Sequence, residues 1–461
     1  MNIGVLALGR STHDIEFAHV KLQQCLQFLH STSHKIYGIC ELLLESEPTL
    51  REIENLKDAP IDFIIILQAT FTDASMTVKI AQTFLSNIGI WSIPEPRLGG
   101  RLRLNSFCGL NLASHALGLN DIQFSWLYEN PENIEISRFQ NFLENKRSVK
   151  RLEASYSEIF PSNKAKIIKN KIKNFKIGKI GKHPDGFDTC KYDPIKLKKL
   201  SGVSVEEIDL DKLFETAKKT KQDKVKTSYN EIKNKISLID EVDQSELDLS
   251  IRLKSSLESI KENGKFDAFA IRCWPEMFTE YGGAVCGPAS LMGENKTPCA
   301  CEADVYGSLT QLILQEVSGS QVFLTDLVDI DINDNTGVIW HCGQAPISMC
   351  DKDFKARATI HTNRKMPLLF EFPLKPGIVT LMRISQAFGQ QKMIISKGKI
   401  LKRDMAFTGT SGVIEFNSEA SDVLNDVISS GLEHHMALAY GDHTQMLEEV
   451  ASVMDLPIIK I

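Results

Sequence analysis

Short, mostly apolar runs recur through the first 150 residues and constrain the fold more than any other feature. Three of them are "IGVLALG", "DFIIILQATF" and "IGIWSIP", and helix-like stretches at 13–30, 73–87 and 106–118 lie between such runs. Strands without polar alternation are buried on both faces, and helices between them supply the crossovers of a parallel sheet. The pattern predicts a doubly wound α/β domain, which we bound at residues 1–163.

The same alternation continues in a second region and then changes to a β pattern. Residues 164–182 contain eight lysines, which we interpret as a solvated linker or helix face rather than a nucleic-acid patch. Strand and helix patterns then predict a second doubly wound α/β domain at 164–320. From "QVFLTDLVDID" onward, short strands separated by Gly and Pro predict a β-rich, antiparallel, barrel-like domain at 321–461.

Motifs and charge argue against several ligands and partners. The first strand–helix turn, "ALGRSTHD", is not GxGxxG, and no GxxxxGK[ST] occurs, so a nucleotide is not expected. A net charge of −6 gives no reason to expect nucleic acid, and no apolar run approaches the ~20 residues of a membrane span. The N-terminus lacks signal-peptide features, and none of the ten cysteines forms a CxxC pair, so we expect reduced thiols in a cytoplasmic protein.

Acidic side chains in apolar strands are the clearest sign of a site. "PCACEADVYGSL" places Glu302 and Asp304 after a strand and before a helix, and "VFLTDLVDID" places Asp326 at the end of another apolar run. Ligands of parallel sheets bind at this edge, and a buried carboxylate needs a cation or metal beside it. A single carboxylate at a strand end is typical of a helix cap or a buried ion pair. Two strands that each end in a carboxylate favour a ligand-binding site.

Basic, aromatic and imidazole side chains follow other strands. "RCWPEMF" brings Arg272 and Trp274 to a strand end, where they either line a pocket for a hydroxylated ligand or serve packing and a salt bridge. "GVIWHCG" adds His341, which is either a core histidine or a site residue.

The segment "GLEHHMALAYGDH" holds three histidines. Because neighbouring residues of a strand point to opposite faces, at most one of His434 and His435 is expected to face a site. Asp442 is expected to cap a helix, which leaves His443 solvated in the first helical turn.

Taken in order, "CACEADVYGSLTQLIL", "VFLTDLVDID" and "GLEHHMALAYGD" resemble the L-fucose isomerase/L-arabinose isomerase superfamily. "PEPRLGGRLRLNSFCGLNL" and "GKHPDGFDTC" are similar to further segments of its shorter L-fucose isomerase-like members, a subgroup that includes isomerases of sulfonated sugars. The resemblance covers nearly the whole chain. It implies two α/β domains and a β-rich domain, homo-oligomers that are often hexamers, and a first domain that caps the site of a neighbouring subunit.

The resemblance also implies a reaction and a metal site. The expected activity interconverts an aldose and its ketose through an enediolate, with a divalent metal that is usually Mn²⁺. By their positions in the motifs, Glu302, Asp326 and His435 correspond to the metal ligands. We expect Glu302 and Asp326 to carry protons as well, and Arg272, Trp274 and His341 to line the pocket, with His341 left open as a fourth ligand.

Two arginines extend the expected site, and alternative functions stay open. In "PRLGGRLRLN", Arg97 and Arg101 either meet an anionic substrate tail across a subunit interface or belong to a basic surface loop. A metal-dependent sugar epimerase or hydrolase uses similar residues. A sugar-binding or regulatory protein on the same fold is the non-enzymatic alternative, although it has little need for two buried carboxylates.

Overall fold

A computed structural model describes residues 1–84, 86–144 and 152–461 of the chain. Residue 85, which falls in the helix predicted at 73–87, and residues 145–151, which fall in the predicted first domain, lie outside the described residues. Within the described ranges, no helix is both long enough and apolar enough to cross a membrane.

The N-terminal region is an α/β layer built on a parallel sheet, as its apolar runs predict. Its strands are β1 (Asn2–Leu8), β2 (Lys35–Tyr37), β3 (Leu42–Leu43), β4 (Phe63–Gln68), β5 (Asn87–Ser92) and β6 (Ser125–Tyr128). Its helices are α1 (Ile15–Ser31), α2 (Ser46–Leu56), α3 (Ser75–Thr83), α4 (Ser106–Leu119) and α5 (Ile136–Leu143). The strand order is β2-β1-β4-β5-β6, with β3 also on β1, and every pair is parallel. The strand β4 is buried along its whole length, which is why its sequence shows no polar alternation.

The middle region holds a second parallel sheet, in the order β10-β9-β7-β8. Its strands are β7 (Lys176–Ile180), β8 (Ser204–Ile208), β9 (Ala268–Ile271) and β10 (Cys299–Ala300). Its helices are α6 (Asn163–Ile172), α7 (Pro194–Ser201), α8 (Leu210–Lys218), α9 (Gln222–Lys235), α10 (Gln244–Gly264), α11 (Cys286–Glu294) and α12 (Val305–Ser318). Much of the lysine-rich segment forms α6, whose Ala165, Ile168 and Ile172 are buried, so its lysines lie on a solvated face.

The C-terminal region is a closed antiparallel barrel. Its strands are β11 (Phe323–Asp331), β12 (Thr336–His341), β13 (Arg357–Thr359), β14 (Leu369–Pro373), β15 (Gly377–Ser385), β16 (Lys392–Ile400), β17 (Thr410–Phe416), β18 (His435–Tyr440) and β19 (Ile458–Lys460). Its helices are α13 (Ala420–Ser429) and α14 (Thr444–Met454). The antiparallel path β17-β12-β11-β18-β15-β16 closes because β16 also pairs with β17. The predicted fold class is therefore confirmed, whereas the domain boundaries after residues 163 and 320 stay predictions.

The three sheets meet around the site described below. The helix α4 is buried from Ser106 to Gly118 and packs against β11 of the barrel. The helix α12 packs on both β9 of the second sheet and β18 of the barrel. These contacts bring the carboxyl ends of the parallel strands to one end of the barrel.

Candidate active site

Strand pairing in the barrel creates the centre of the site. Asp326 lies inside β11 rather than at its end as predicted, because the antiparallel strand continues to Asp331. In the register of β11 with β18 it lies directly opposite His435, and in the register with β12 it lies opposite Trp340. His341 is the last residue of β12. Three candidate residues from distant parts of the sequence therefore lie on adjacent strands at the same level.

Glu302 enters the site from a tight turn between β10 and α12. Its backbone is left-handed, with φ 61° and ψ 24°, and Ala303 also has a positive φ. Oε1 of Glu302 accepts a hydrogen bond from Nε1 of Trp274 at 3.2 Å, and Oε2 accepts one from Nε2 of His434 at 3.0 Å. Burial by itself raises the pKa of this carboxyl, but the hydrogen bond and charge of His434 outweigh burial and lower the pKa to about 2.

His435 is held so that one ring nitrogen faces both carboxylates. Its Nδ1 donates to Oδ2 of Asp304 at 3.0 Å, and its Nε2 lies 3.6 Å from Oδ1 of Asp326 and 3.9 Å from Oε2 of Glu302. Burial, together with the charge of His434, lowers the pKa of His435. The ring is therefore neutral, with the Nε2 lone pair directed between the two carboxylates, as in metal sites where a carboxylate orients the histidine.

The residue that orients His435 is itself fixed by a buried ion pair. Arg383 donates to Asp304 through two bonds of 2.5 and 3.1 Å, and each side chain is only 1% exposed. Asp304 also caps α12 by accepting from the backbone N–H of Gly307 at 2.8 Å. Although burial opposes ionisation, Arg383 and His435 hold the pKa of Asp304 well below its usual range.

Asp326 is the one carboxylate of the centre whose charge is not compensated. Its Oδ1 is buried and has no hydrogen-bond partner in the described part of the chain. Burial, with a smaller contribution from the negative charge of Glu302, raises the pKa of Asp326 to about 6. A buried, unpartnered carboxylate oxygen is costly unless a cation or a substrate group meets it.

Two overlapping groups of these atoms are compact enough to hold a metal ion, and they share His435. The ligand atoms of Asp326, His341 and His435 lie within 4.8 Å of one another, as do those of Glu302, His434 and His435. Separations of 3.6 and 3.9 Å from Nε2 of His435 are too long for hydrogen bonds and leave room between the atoms. Two carboxylates and an imidazole suit Mn²⁺ or Mg²⁺ better than a thiolate-preferring ion.

His341 also reaches the centre. Its ring lies 5.9 Å from that of His435, centroid to centroid, and its Nδ1 accepts from the backbone N–H of Cys342 at 2.9 Å. A neutral imidazole whose Nδ1 accepts a hydrogen bond carries its proton on Nε2. The Nε2–H group of His341 can therefore donate to a ligand oxygen.

A cavity of about 110 Å³ opens beside the centre and contains several of the predicted residues. Glu302, Asp326, Trp274 and His341 line it. His435 lies behind this wall, with its ring in contact with that of His434, 4.0 Å away centroid to centroid.

Three predicted pocket residues lie elsewhere, because each is held by other partners. Arg272 forms a two-bond ion pair with Glu276, at 2.6 Å for each bond, and does not line the cavity. Arg97 is held by Asp329 at 2.6 Å, also away from the cavity. Arg101 lies just behind the wall, where it donates to Oδ1 of Asn363 at 2.7 Å and to a main-chain carbonyl.

The expectation that at most one histidine of the pair faces the site is wrong. The side chains of both His434 and His435 approach Oε2 of Glu302. The alternation of faces applies within a strand, and β18 begins only at His435, so His434 lies in the preceding turn. His443 lies at the cap of α14 rather than in its first turn, and it is half-buried with Nε2 donating to the carbonyl of Tyr440 at 2.9 Å.

The sequence interpretation missed the basic wall of the cavity. Arg10, His13, His361 and Arg364 all line it. Arg10 and His13 belong to the turn after β1, which has no nucleotide motif but lies, like the end of any parallel strand, at a ligand-binding edge. No local pattern marks His361 or Arg364, because they lie on a loop between β13 and β14.

Comparison with known proteins agrees with this geometry. Residues 4–175 match the family model described as fucose/sulfoquinovose isomerase, N-terminal domain, and residues 339–461 match L-fucose isomerase, C-terminal domain. The sulfoquinovose isomerase of Priestia aryabhattai is 32% identical over 453 residues, which cover 97% of this chain and 96% of the relative. The sulfoquinovose isomerase of Alkalicoccus urumqiensis is 29% identical over 404 residues, or 87% of each chain.

The fold, the carboxylate–histidine centre and these relatives together define a sugar isomerase that interconverts an aldose and a ketose. The chain belongs to the fucose/sulfoquinovose isomerase family.

Proposed function

We propose that this isomerase converts sulfoquinovose, or a closely related sulfonated aldose, to its ketose with Mn²⁺ held by Glu302, Asp326 and His435. The relatives' names support the substrate class. The observation that carries the metal site is the unpartnered, buried Oδ1 of Asp326, which faces Nε2 of His435 beside Glu302.

A divalent ion held there would supply positive charge beside O1 and O2 of the open-chain sugar, which stabilises an enediolate. Asp326 takes the proton from C2 and returns it to C1 through the carboxylate oxygen that does not face His435, because its side chain, unlike those of Glu302 and Asp304, makes no hydrogen bond among the described residues. Glu302 and the imidazole of His434 that donates to it move the proton between the two oxygens. His341 donates its Nε2–H to a sugar oxygen.

The supporting side chains fix this arrangement before the sugar binds. Asp304 sets the tautomer of His435, and Arg383 keeps Asp304 ionised. Trp274 holds Glu302 through its indole N–H and presents an aromatic face to the cavity.

The assembly and location of the enzyme are part of the same proposal. We propose a homo-oligomer, a hexamer as the family resemblance implies, in which residues 1–163 cap the site of a neighbouring subunit. A cytoplasmic location accords with ten free cysteines.

The test is conversion by Mn²⁺-loaded and chelator-treated enzyme, followed by NMR after the ion has been removed. Sulfoquinovose, D-glucose and L-fucose are the substrates. The expected result is ketose formation from sulfoquinovose that chelation abolishes and Mn²⁺ restores. Equal turnover by protein shown by metal analysis to be metal-free would refute the metal site, and a higher kcat/KM for a neutral sugar would refute the substrate.

A further inference from the structure

The cavity wall formed by Arg10, His13, His361 and Arg364 carries positive charge, and we call it the basic pole of the cavity. Arg364 lines the cavity, with its guanidinium carbon 5.1 Å from the ring centroid of Trp274 and 5.3 Å from that of Phe278. In residues 1–84, 86–144 and 152–461 its guanidinium has no hydrogen bond and no ion pair. Burial foremost, with repulsion from Arg10, lowers the pKa of Arg364. A partly buried, unpaired guanidinium in a cavity is costly by itself and is stabilised when it binds an anion.

The other basic residues that line this end of the cavity are either paired or neutral. Arg10, whose guanidinium carbon lies 5.2 Å from the ring centroid of Trp274, is already paired with Asp73 at 2.7 Å. Burial lowers the pKa of His13 and of His361 to about 3, so both rings are neutral. Among the described residues, Arg364 is therefore the residue of the cavity lining that offers an unpaired positive charge, and Arg101, which binds two neutral oxygens behind the wall, adds to the positive potential there.

One side chain connects the basic pole to the carboxylate centre. The Nε1 of Trp274 donates to Glu302 at 3.2 Å. The guanidinium carbons of Arg10 and Arg364 lie 5.2 and 5.1 Å from the ring centroid of the same indole. An extended six-carbon chain spans about 6 Å from C1 to C6, at about 1.5 Å per bond. A sugar that places C1 and C2 at the carboxylates can therefore extend along Trp274 toward the arginines.

His13, which lines the cavity beside Arg364, has a buried ring nitrogen without a partner in the described part of the chain. This atom, Nδ1, is shielded from solvent. Arg101 joins the two loops that carry this wall, because it donates to the carbonyl of Thr12 at 2.8 Å and to Oδ1 of Asn363 at 2.7 Å. These contacts give Arg101 a positioning role behind the wall.

We propose that Arg364, with Arg10 and His13, forms the subsite that binds the anionic group at the end of the substrate remote from Glu302 and Asp326. The inference rests on the proposed function and names the residues that select a sulfonate-bearing sugar. Arg364 binds the tetrahedral anion through two N–H groups, and the neutral His13 donates a further hydrogen bond. A sulfonate is such a tetrahedral anion, and the relatives are named for a sugar that carries one.

The experiment compares wild type with Arg364→Gln on sulfoquinovose, on 6-deoxy-D-glucose, which lacks only the sulfonate, and on D-glucose 6-phosphate. Because Arg364→Gln removes the charge-assisted hydrogen bonds to the anionic group, kcat/KM for sulfoquinovose should fall about 10- to 100-fold, mainly through a higher KM. The neutral sugar should change by less than about threefold. Arg51→Gln is the matched control, since Arg51 is an exposed arginine on α2 that pairs with Glu47. Equal losses on sulfoquinovose and 6-deoxy-D-glucose would overturn the subsite, and a higher wild-type kcat/KM for the phosphate ester would overturn the sulfonate assignment.

Binding measurements separate this inference from the proposed function. Calorimetric titration of the Mn²⁺-loaded proteins with sulfoquinovose should give an affinity at least tenfold weaker for Arg364→Gln than for wild type. If wild type isomerises no tested sugar but shows this difference, the proposed function fails and the subsite stands. If the two proteins bind sulfoquinovose equally, the subsite fails whatever the activity. Arg364→Lys, which keeps the charge and loses the planar fork, should lie between them.

Discussion

Replacing Asp304 by Asn tests whether a residue that lines no cavity controls the metal centre. The Asp304 carboxylate accepts four hydrogen bonds: one from the backbone N–H of Gly307, one from Nδ1 of His435 and two from the guanidinium of Arg383. Asparagine has the same shape but only one acceptor oxygen. With that oxygen toward Gly307, the amide N–H₂ faces Nδ1 of His435, which must then lose its proton. The proton moves to Nε2, and the lone pair directed between Glu302 and Asp326 is lost.

Two effects of different size follow from this substitution. Loss of an orienting partner lowers metal affinity about 10- to 100-fold, which is about 1.4–2.7 kcal/mol. Arg383, only 1% exposed, loses its counter-charge, and breaking such a buried pair costs about 3–5 kcal/mol of folding stability. The second effect exceeds the first, so the metal-free variant should unfold at a clearly lower temperature than metal-free wild type.

The assay is Mn²⁺ binding by calorimetry at a temperature where both proteins are folded, with thermal unfolding measured separately. Asp243→Asn is the control, because Asp243 caps α10 through the N–H groups of Ser245 and Glu246 and has no ion-pair partner in the described residues. It should bind Mn²⁺ as wild type does. If Asp304→Asn also binds Mn²⁺ within a factor of about two of wild type, Asp304 does not set the tautomer of His435 and the reasoning is refuted.

Further substitutions and one Mn²⁺-reloading experiment test other parts of the site. His435→Ala should lose Mn²⁺ binding and turnover together, whereas His443→Ala should keep both; equal damage would contradict the ligand assignment. His341→Gln should keep Mn²⁺ and lower kcat by about 10²-fold, because one donor to the sugar is lost, and joint loss of Mn²⁺ would make His341 a ligand instead. Arg97→Met should destabilise the fold by about 3–5 kcal/mol, because it leaves Asp329 buried without its counter-charge. The KM of the folded enzyme should stay unchanged, and a raised KM would place Arg97 at the substrate. Adding free Mn²⁺ at 100 times its Kd to chelator-treated protein should raise the free energy of unfolding by about 2.7 kcal/mol, and an unchanged melting temperature would argue against a resident ion.

The sequence by itself determined the fold class and the positions of the acidic residues. Apolar runs such as the one that forms β4 are buried on both faces, and burial of this kind leaves a signal that needs no knowledge of neighbours. The place of Glu302 between a strand and a helix followed from the same local pattern. That Asp326 and His435 belong with Glu302 came from the ordered motifs of a family, and the strand register then showed the two residues opposite each other.

The tertiary structure decided which partners these residues meet. Asp304 and Arg383 are 79 positions apart, and Glu302 and His434 are 132 apart, so their contacts depend on closure of the barrel and on its packing against α12. The basic pole depends in the same way on a loop of the C-terminal region reaching the turn after β1, where Arg364 and Arg10 meet one indole. Local periodicity records whether a side chain is buried, because burial is a property of one face of one element. It does not record the charge that the side chain faces, because that charge belongs to another element brought close only by folding.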